Sequence, residues 1–422
     1  MVKAEQVLCH KLNRVTMAPM LKSLRAVVRF KKFERDPVKR RLSKVANIED
    51  LRRLARRRLP SGVFDYIDGA AEDERTFNRN EAGFAKIGFA PRVLRGNAEI
   101  DTSTTLMGKH LPVPLVLAPT GFTRIAHSQG ELAVARSAAR AGLPYALSTL
   151  GTRSIEEVAE AGDGDKWFQV YVWKDRGLVD EMLDRAATAG YSTAVVTVDT
   201  ATFGRRERDV RRGFTLPPRI GLGTIIDGIR RPGWSLDFVK AEPIMFANVT
   251  GGSVGDGSDP VSLAEYVADQ MDPGLSWEDI DHFREQWPGK MTIKGIQTVA
   301  DAKIAVDHGV DAVILSNHGG RQLDDAPAPI DLLPSVADAL GGHTDIILDG
   351  GIRRGSDVVK AVSLGAKACM FGRAYLYGLG AAGEQGVDFV LEHLVEGVER
   401  TLSLIGCRSL DALGPEYLVD YQ

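Results

Sequence analysis

From Leu115 onward the chain alternates short apolar runs with longer stretches whose apolar residues recur at helical spacing. Eight runs are strand candidates: LVLAPTG (115–121), YALST (145–149), WFQVYV (167–172), TAVVTVD (193–199), TIKGI (292–296), AVILSNHG (312–319), DIILDGG (345–351) and ACMFGR (368–373). They are continuous and rich in β-branched residues rather than alternating, which indicates strands covered on both faces, and the helical stretches between them imply parallel crossovers. Eight such units over about 260 residues predict an α/β fold, a (β/α)8 barrel. The alternative is a doubly wound open sheet, whose first strand usually opens into a Gly-rich phosphate turn. Here that turn reads APTGF.

Polar residues gather at the C-terminal ends of these runs: Thr120, Ser148, Gln169 and Tyr171, Thr197 and Asp199, Lys294, His318, Asp349 and Arg373. In a barrel those ends form one rim, where active sites lie. Upstream, Ile48 to Leu59 reads as a helix with Leu51, Leu54 and Ala55 on one face, and residues 1–47 read as an extension without sustained periodicity. The barrel domain is expected over 48–422, with an insertion at 204–290, because about ninety residues separate the fourth and fifth runs. Within it, GFTLPPRIGLGTIIDGIRRPGW (213–234) sets Leu222, Ile225, Ile226, Ile229 and Trp234 beside Arg219, Arg230 and Arg231. That mixture suits a bilayer interface or a lid helix packed on the barrel.

Charge sharpens the picture of the extension. Residues 1–60 hold 18 Lys/Arg against 5 Asp/Glu, or +13, so a net charge of −3 leaves −16 for the remainder. Such a basic end suits an anionic membrane surface or self-association, and it lacks the interleaved aromatics expected of a nucleic-acid surface. Three cysteines, Cys9, Cys369 and Cys407, stand at no metal-like spacing, so neither disulfides nor a metal site is expected. No apolar stretch reaches spanning length and no secretory signal is evident, so a cytoplasmic protein, peripheral at the inner face of the cell membrane, is expected.

The most informative segment is SNHGGRQLD (316–324), where a base and an anion clamp, His318 and Arg321, stand three residues apart as a strand opens into a loop. Glycines let backbone approach a ligand closely, and Arg offers a bidentate fork for a carboxylate. This segment resembles the signature of the FMN-dependent 2-hydroxy-acid dehydrogenase and oxidase family, and the similarity runs from about Leu51 to Leu413, most closely to bacterial L-lactate dehydrogenases.

The resemblance implies FMN as cofactor, a small L-2-hydroxy acid as substrate, a quinone or oxygen as electron acceptor, and a homotetramer or larger assembly. It implies that His318 is the active-site base and that Asp199 orients it. Arg321 and Arg206 would hold the substrate carboxylate, with Tyr66 and Tyr171 as hydroxyl donors. Gly121 and Leu150 match positions that set substrate size, and Leu150 suggests a methyl-sized side chain, with Gly121 leaving extra room. For the cofactor, Lys294 would stand beside the flavin N1 and O2 edge. Ser148, Gln169 and Thr197 would bind the pyrimidine edge, and Pro119 and Thr120 would face N5. Ser316, Asp349, Gly351, Arg353, Gly372 and Arg373 would complete the ribityl and phosphate site. Other readings from the sequence are a hydroxy-acid oxidase or monooxygenase, a relative acting on a peptide-derived redox cofactor, and a non-redox FMN or phosphate-binding barrel.

Overall fold

The computed structural model describes residues 34–96, 98–212, 222–249 and 269–420. The chain divides into two compact units, Met1–Lys44 and Val45–Gln422. In the first, a single short helix, Pro37–Leu42, is described, capped by Asp36, whose carboxylate accepts from Val38 and Lys39 N–H.

The second unit is built on eight parallel strands: β1 (Leu115–Leu117), β2 (Tyr145–Ser148), β3 (Lys166–Tyr171), β4 (Thr193–Thr197), β5 (Lys290–Ile296), β6 (Ala312–Ser316), β7 (Asp345–Asp349) and β8 (Ala368–Phe371). They close in sequence order, β8 pairing with β1 through Cys369 opposite Leu115. Each expected strand is present, and the architecture is the (β/α)8 barrel. The apolar runs overshoot their strands, however, because pairing stops where the rim loops begin. Thr120, Gly121, Asp199, His318, Gly351 and Arg373 therefore stand just beyond the ladders. β5 starts earlier than its apolar run, at Lys290, and bulges between Lys294 and Ile296.

The opposite end is plugged. A hairpin, Thr104–Leu106 with Lys109–Leu111, inserts Leu106 and Leu111 into a core with Val116, Trp167, Ile314 and Met370. Each fully buried Leu, Ile or Met contributes about 1.5–3 kcal/mol. The hairpin turn is pinned where the Met107 N–H donates to Asp345 (2.6 Å). With that end sealed, the polar rim is where a ligand can enter.

Within the second unit, α1 (Ile48–Arg58), α2 (Ser61–Asp68) and α3 (Arg75–Ala85) precede the barrel strands. α1 buries Ile48, Leu51 and Ala55, leaving Leu54 half-buried. The insertion carries α4 (Leu222–Ile229) and α5 (Pro232–Lys240). Its polar groups face the barrel: Asp227 accepts from Ser61 N–H, Arg231 Nε donates to Leu59 O (3.1 Å), and Asp237 accepts from Ser128 N–H and Oγ (2.9 and 2.6 Å). Its apolar residues face outward, with Ile229 72%, Leu236 60% and Val239 80% exposed. Trp234 does not share that outward orientation. Its indole N–H donates to Ile125 O (2.7 Å) and its ring stacks on Phe238, so it docks the α4–α5 pair on the loop after β1. Arg219 lies outside the described residues. Among the described residues, no helix is long and apolar enough to cross a membrane.

Candidate active site

After β6 the chain turns sharply. Asn317 and Asn80 exchange amide hydrogen bonds (2.8 and 2.7 Å), and the Asn317 side-chain oxygen also accepts from Gly320 N–H (3.1 Å). This turn holds His318 at φ 57°, a conformation uncommon for a non-glycine residue and found mostly where surrounding structure enforces it. His318 Nδ1 is then 2.9 Å from Asp199 Oδ1. Burial pushes the Asp199 carboxyl up, but His318 and Lys294 together hold it below the usual carboxylate range. An ionised carboxylate only accepts, so Nδ1 carries a proton, and in the neutral imidazole the lone pair is on Nε2.

Beside this pair, Tyr171 lies nearly parallel to the imidazole (ring centroids 6.4 Å, 14°). Burial and Asp199 push its phenol up, keeping it a hydroxyl donor. Arg321 is anchored by donating to the carbonyls of Tyr66 (2.7 Å) and Gly69 (3.0 Å). Burial and the neighbouring Arg206 lower its pKa to about 10, which leaves it cationic at neutral pH. Arg321 and Arg206 both lie on the Tyr66 ring, at 5.0 and 5.5 Å. The result is two guanidiniums and two phenols around one space, a set suited to a small carboxylate.

Lys294 projects from β5 and is fully buried. Its ammonium is 3.0 Å from both Asp349 and Ser316 Oγ. Burial opposes its charge, yet Asp349 and Asp199 raise its pKa above the ordinary lysine value. Ser316 Oγ donates to Asp349 (2.7 Å) and accepts from His318 N–H (3.0 Å), so its hydroxyl ties the lysine to the histidine turn. On the neighbouring strands Ser148 donates to Gln169 Oε1 (2.9 Å), leaving Gln169 Nε2 and Thr197 Oγ1 buried without a protein partner. Such orphaned groups cost about 1–3 kcal/mol each, which a polar heterocycle edge would relieve.

Lys294, Asp349, His318, Arg321, Arg206, Tyr66 and Tyr171 border a cavity of about 450 Å³, also lined by Pro119, Thr120, Gly121, Leu150, Gly351, Arg353, Gly372 and Arg373, while Ser148, Gln169, Thr197 and Ser316 stand behind that lining at the same strand ends. Gly351 has φ 84°, and a Cβ there would come 2.2 Å from Asn80 O, so only glycine fits that turn. Arg353 pairs with Glu81 (3.0 Å). Arg373, at the first turn of α6 (Arg373–Ala382), donates to the carbonyls of Gly319, Gly69 and Ile67 (2.8, 2.8 and 3.2 Å). A polar inner edge, a buried ammonium and a Gly- and Arg-rich outer end fit a flavin mononucleotide.

Gly121 and Leu150 stand side by side in the cavity wall. A Cβ there would lie 3.1 Å from Leu150 Cβ, so the Leu150 side chain already fills that space. Three contributors escaped the sequence reading. Phe122, at φ 55°, packs edge-on against Phe246 (4.5 Å) and Tyr66 (6.1 Å), bringing an insertion residue into the cavity wall. Tyr375 donates to Ala118 O (2.7 Å) and lies 2.7 Å from Thr120 Oγ1, bracing the loop after β1. Gly295, at φ 109°, sits where a Cβ would meet Asp199 at 2.7 Å, and a glycine inside a strand run was the available signal of a bulge.

Comparison with known proteins agrees with this geometry. Residues 55–420 match the family model described as FMN-dependent dehydrogenase. The chain is 45% identical over 401 residues to a putative L-lactate dehydrogenase of Mycobacterium tuberculosis, covering 95% of each chain. It is 41% identical to the (S)-mandelate dehydrogenase of Pseudomonas putida, over 88% of this chain and 93% of that one. Among solved structures, the monotopic membrane protein (S)-mandelate dehydrogenase superposes with a TM-score of 0.86 at 40% identity, covering 89% of this chain and 100% of that chain. The chain belongs to the FMN-dependent dehydrogenase family, with FMN as its cofactor and oxidation of a 2-hydroxy acid as its reaction.

Proposed function

We propose that this member oxidises L-lactate to pyruvate and passes the electrons to a quinone at a membrane surface. The observation that carries the substrate reading is the Leu150 side chain packed into the space beside Gly121, with Phe122 and Phe246 narrowing the same wall. A methyl group suits such a subsite better than a phenyl ring. The L-lactate dehydrogenase name of the Mycobacterium relative supports the same choice.

In this reading Arg321 and Arg206 hold the carboxylate, and Tyr66 and Tyr171 direct hydrogen bonds at the substrate oxygens. His318 Nε2 accepts the hydroxyl proton, and Asp199 stabilises the imidazolium that forms. FMN, when bound, supplies the two-electron acceptor. Lys294 contributes a fixed positive charge where the ring gains electron density. Anaerobic mixing of the yellow protein with a panel of hydroxy acids is expected to bleach the flavin fastest with L-lactate. Faster bleaching by mandelate would overturn the substrate assignment. Reoxidation faster by oxygen than by a soluble quinone would overturn the acceptor.

The outward apolar face of α4 and α5 supports the membrane reading, since exposed apolar patches on that scale mark interaction surfaces. The basic extension over residues 1–47 would add attraction to anionic lipid, at about 1 kcal/mol per basic residue near the surface. The protein is therefore expected to co-sediment with vesicles containing anionic lipid. A variant carrying Ile225→Asp, Ile229→Asp and Val239→Asp should stay in the supernatant with its lactate turnover intact. Equal sedimentation of both proteins would rule out α4 and α5 as the contact.

A further inference from the structure

Asp68 closes α2 and is only 1% exposed, yet nothing assigned to the reaction uses it. Its carboxylate receives Arg52 Nε and Nη2 (2.5 and 2.8 Å), Arg208 Nη1 (2.8 Å) and the Tyr377 hydroxyl (2.7 Å). Burial pushes its pKa up, but these partners, Arg52 foremost, bring it down to about 2. Buried ion networks of this kind are seldom the best source of stability, since packed apolar groups serve as well. What this one does is join separate parts of the rim. Arg52 lies on α1, Tyr377 on α6 behind Arg373, and Arg208 two residues beyond Arg206.

The Arg206 segment is fixed chiefly through the neighbours of Arg206 rather than through Arg206 itself. Arg206 finds its own acidic partner, Asp209, only at 3.6 Å. Arg208, by contrast, reaches both Asp68 and Glu74, and Glu74 accepts from Ala70 N–H (3.0 Å) just beyond α2. Further ties run in parallel: Glu72 N–H donates to Arg205 O (2.9 Å), and Arg212 pairs with Asp65 (2.9 Å). The whole stretch 205–212 is thus sewn to α2, the helix that carries Tyr66, with Asp68 as the buried end of the seam.

We infer that Asp68 is a positioning residue for substrate binding: by holding Arg208 it seats Arg206 over Tyr66, at the side of the cavity that receives the carboxylate. The inference rests on the reading of Arg206 as a carboxylate clamp. Asp68→Asn keeps the shape and removes the charge that holds Arg208. A misplaced clamp weakens substrate binding more than the chemical step, so the expected result is a KM for L-lactate raised about tenfold, with kcat within about threefold of the parent and full FMN content. Arg208→Gln should give the same pattern. The double variant should raise KM by clearly less than the product of the two single effects, since both substitutions break the Asp68–Arg208 link.

Arg206→Lys tests the underlying reading separately. If it leaves KM unchanged, the clamp assignment fails. If it raises KM while Asp68→Asn and Arg208→Gln do not, the clamp stands and the positioning role of Asp68 is overturned. Should Asp68→Asn fail to fold, Arg208→Gln and Glu74→Gln carry the same test from the outer side of the seam. Additive effects in the Asp68–Arg208 double variant would also overturn the inference.

Discussion

Replacement of His318 by alanine is expected to slow flavin reduction by L-lactate about 10²- to 10⁴-fold while FMN stays bound. The imidazole is the base at the rim, and its Nδ1 is engaged by Asp199 at 2.9 Å, which leaves Nε2 as the nitrogen able to take a proton. The groups that suit the flavin, among them Lys294, Gln169 and Thr197, come from other strands and are untouched by the change. One complication is backbone strain: alanine at φ 57° is disfavoured by about 1–2 kcal/mol. His318→Asn is the control, because asparagine tolerates the left-handed region and still lacks a base. Both variants should bind FMN stoichiometrically and bleach slowly under anaerobic stopped-flow. Near-parental bleaching in either one would remove His318 from the chemistry.

How much of this was legible beforehand follows from how local each signal is. The eight strands and the rim were readable because a buried parallel strand is a contiguous apolar run, and a charged group is tolerated only at its end. The His318 turn was readable because its chemistry sits within a few residues. The supports of that turn were not. Asn80 reaches Asn317 across 237 positions, and Asp68 meets Tyr377 across 309, with no periodicity to announce either pairing. The α4–α5 pair shows a different limit. Helical spacing reveals that a segment has two faces, but not which one meets the barrel. Here carboxylates and Arg231 turn inward to backbone and hydroxyl partners, while isoleucines turn outward. Spacing left both faces open for Trp234 too, and its polar handle found the carbonyl of Ile125.

Asp199→Asn is expected to reduce flavin reduction by up to about 100-fold, the scale on which an orienting partner supports the group that reacts. Asp199 is 3% exposed at its side chain, and burial alone would favour its neutral form. His318 and Lys294 keep it ionised, which gives the imidazolium formed during turnover a counter-charge at close range. An asparagine removes that charge in either orientation. With its amide nitrogen toward Nδ1 it would also reverse the tautomer, placing the proton on Nε2 and abolishing the lone pair. With its oxygen toward Nδ1 the tautomer survives and only the charge is lost, so some activity should remain. Gly295→Ala approaches the same residue from behind. At φ 109° its new Cβ would lie 2.7 Å from Asp199 Cβ and 2.8 Å from Cγ, so the carboxylate must move. Both variants should lose rate, and Asp199→Asn should retain its FMN because its side chain holds His318 and not the strand ends around the ring. If Asp199→Asn bleaches with L-lactate at the parental rate, the carboxylate has no part in fixing the base, and His318 must be oriented by its turn alone.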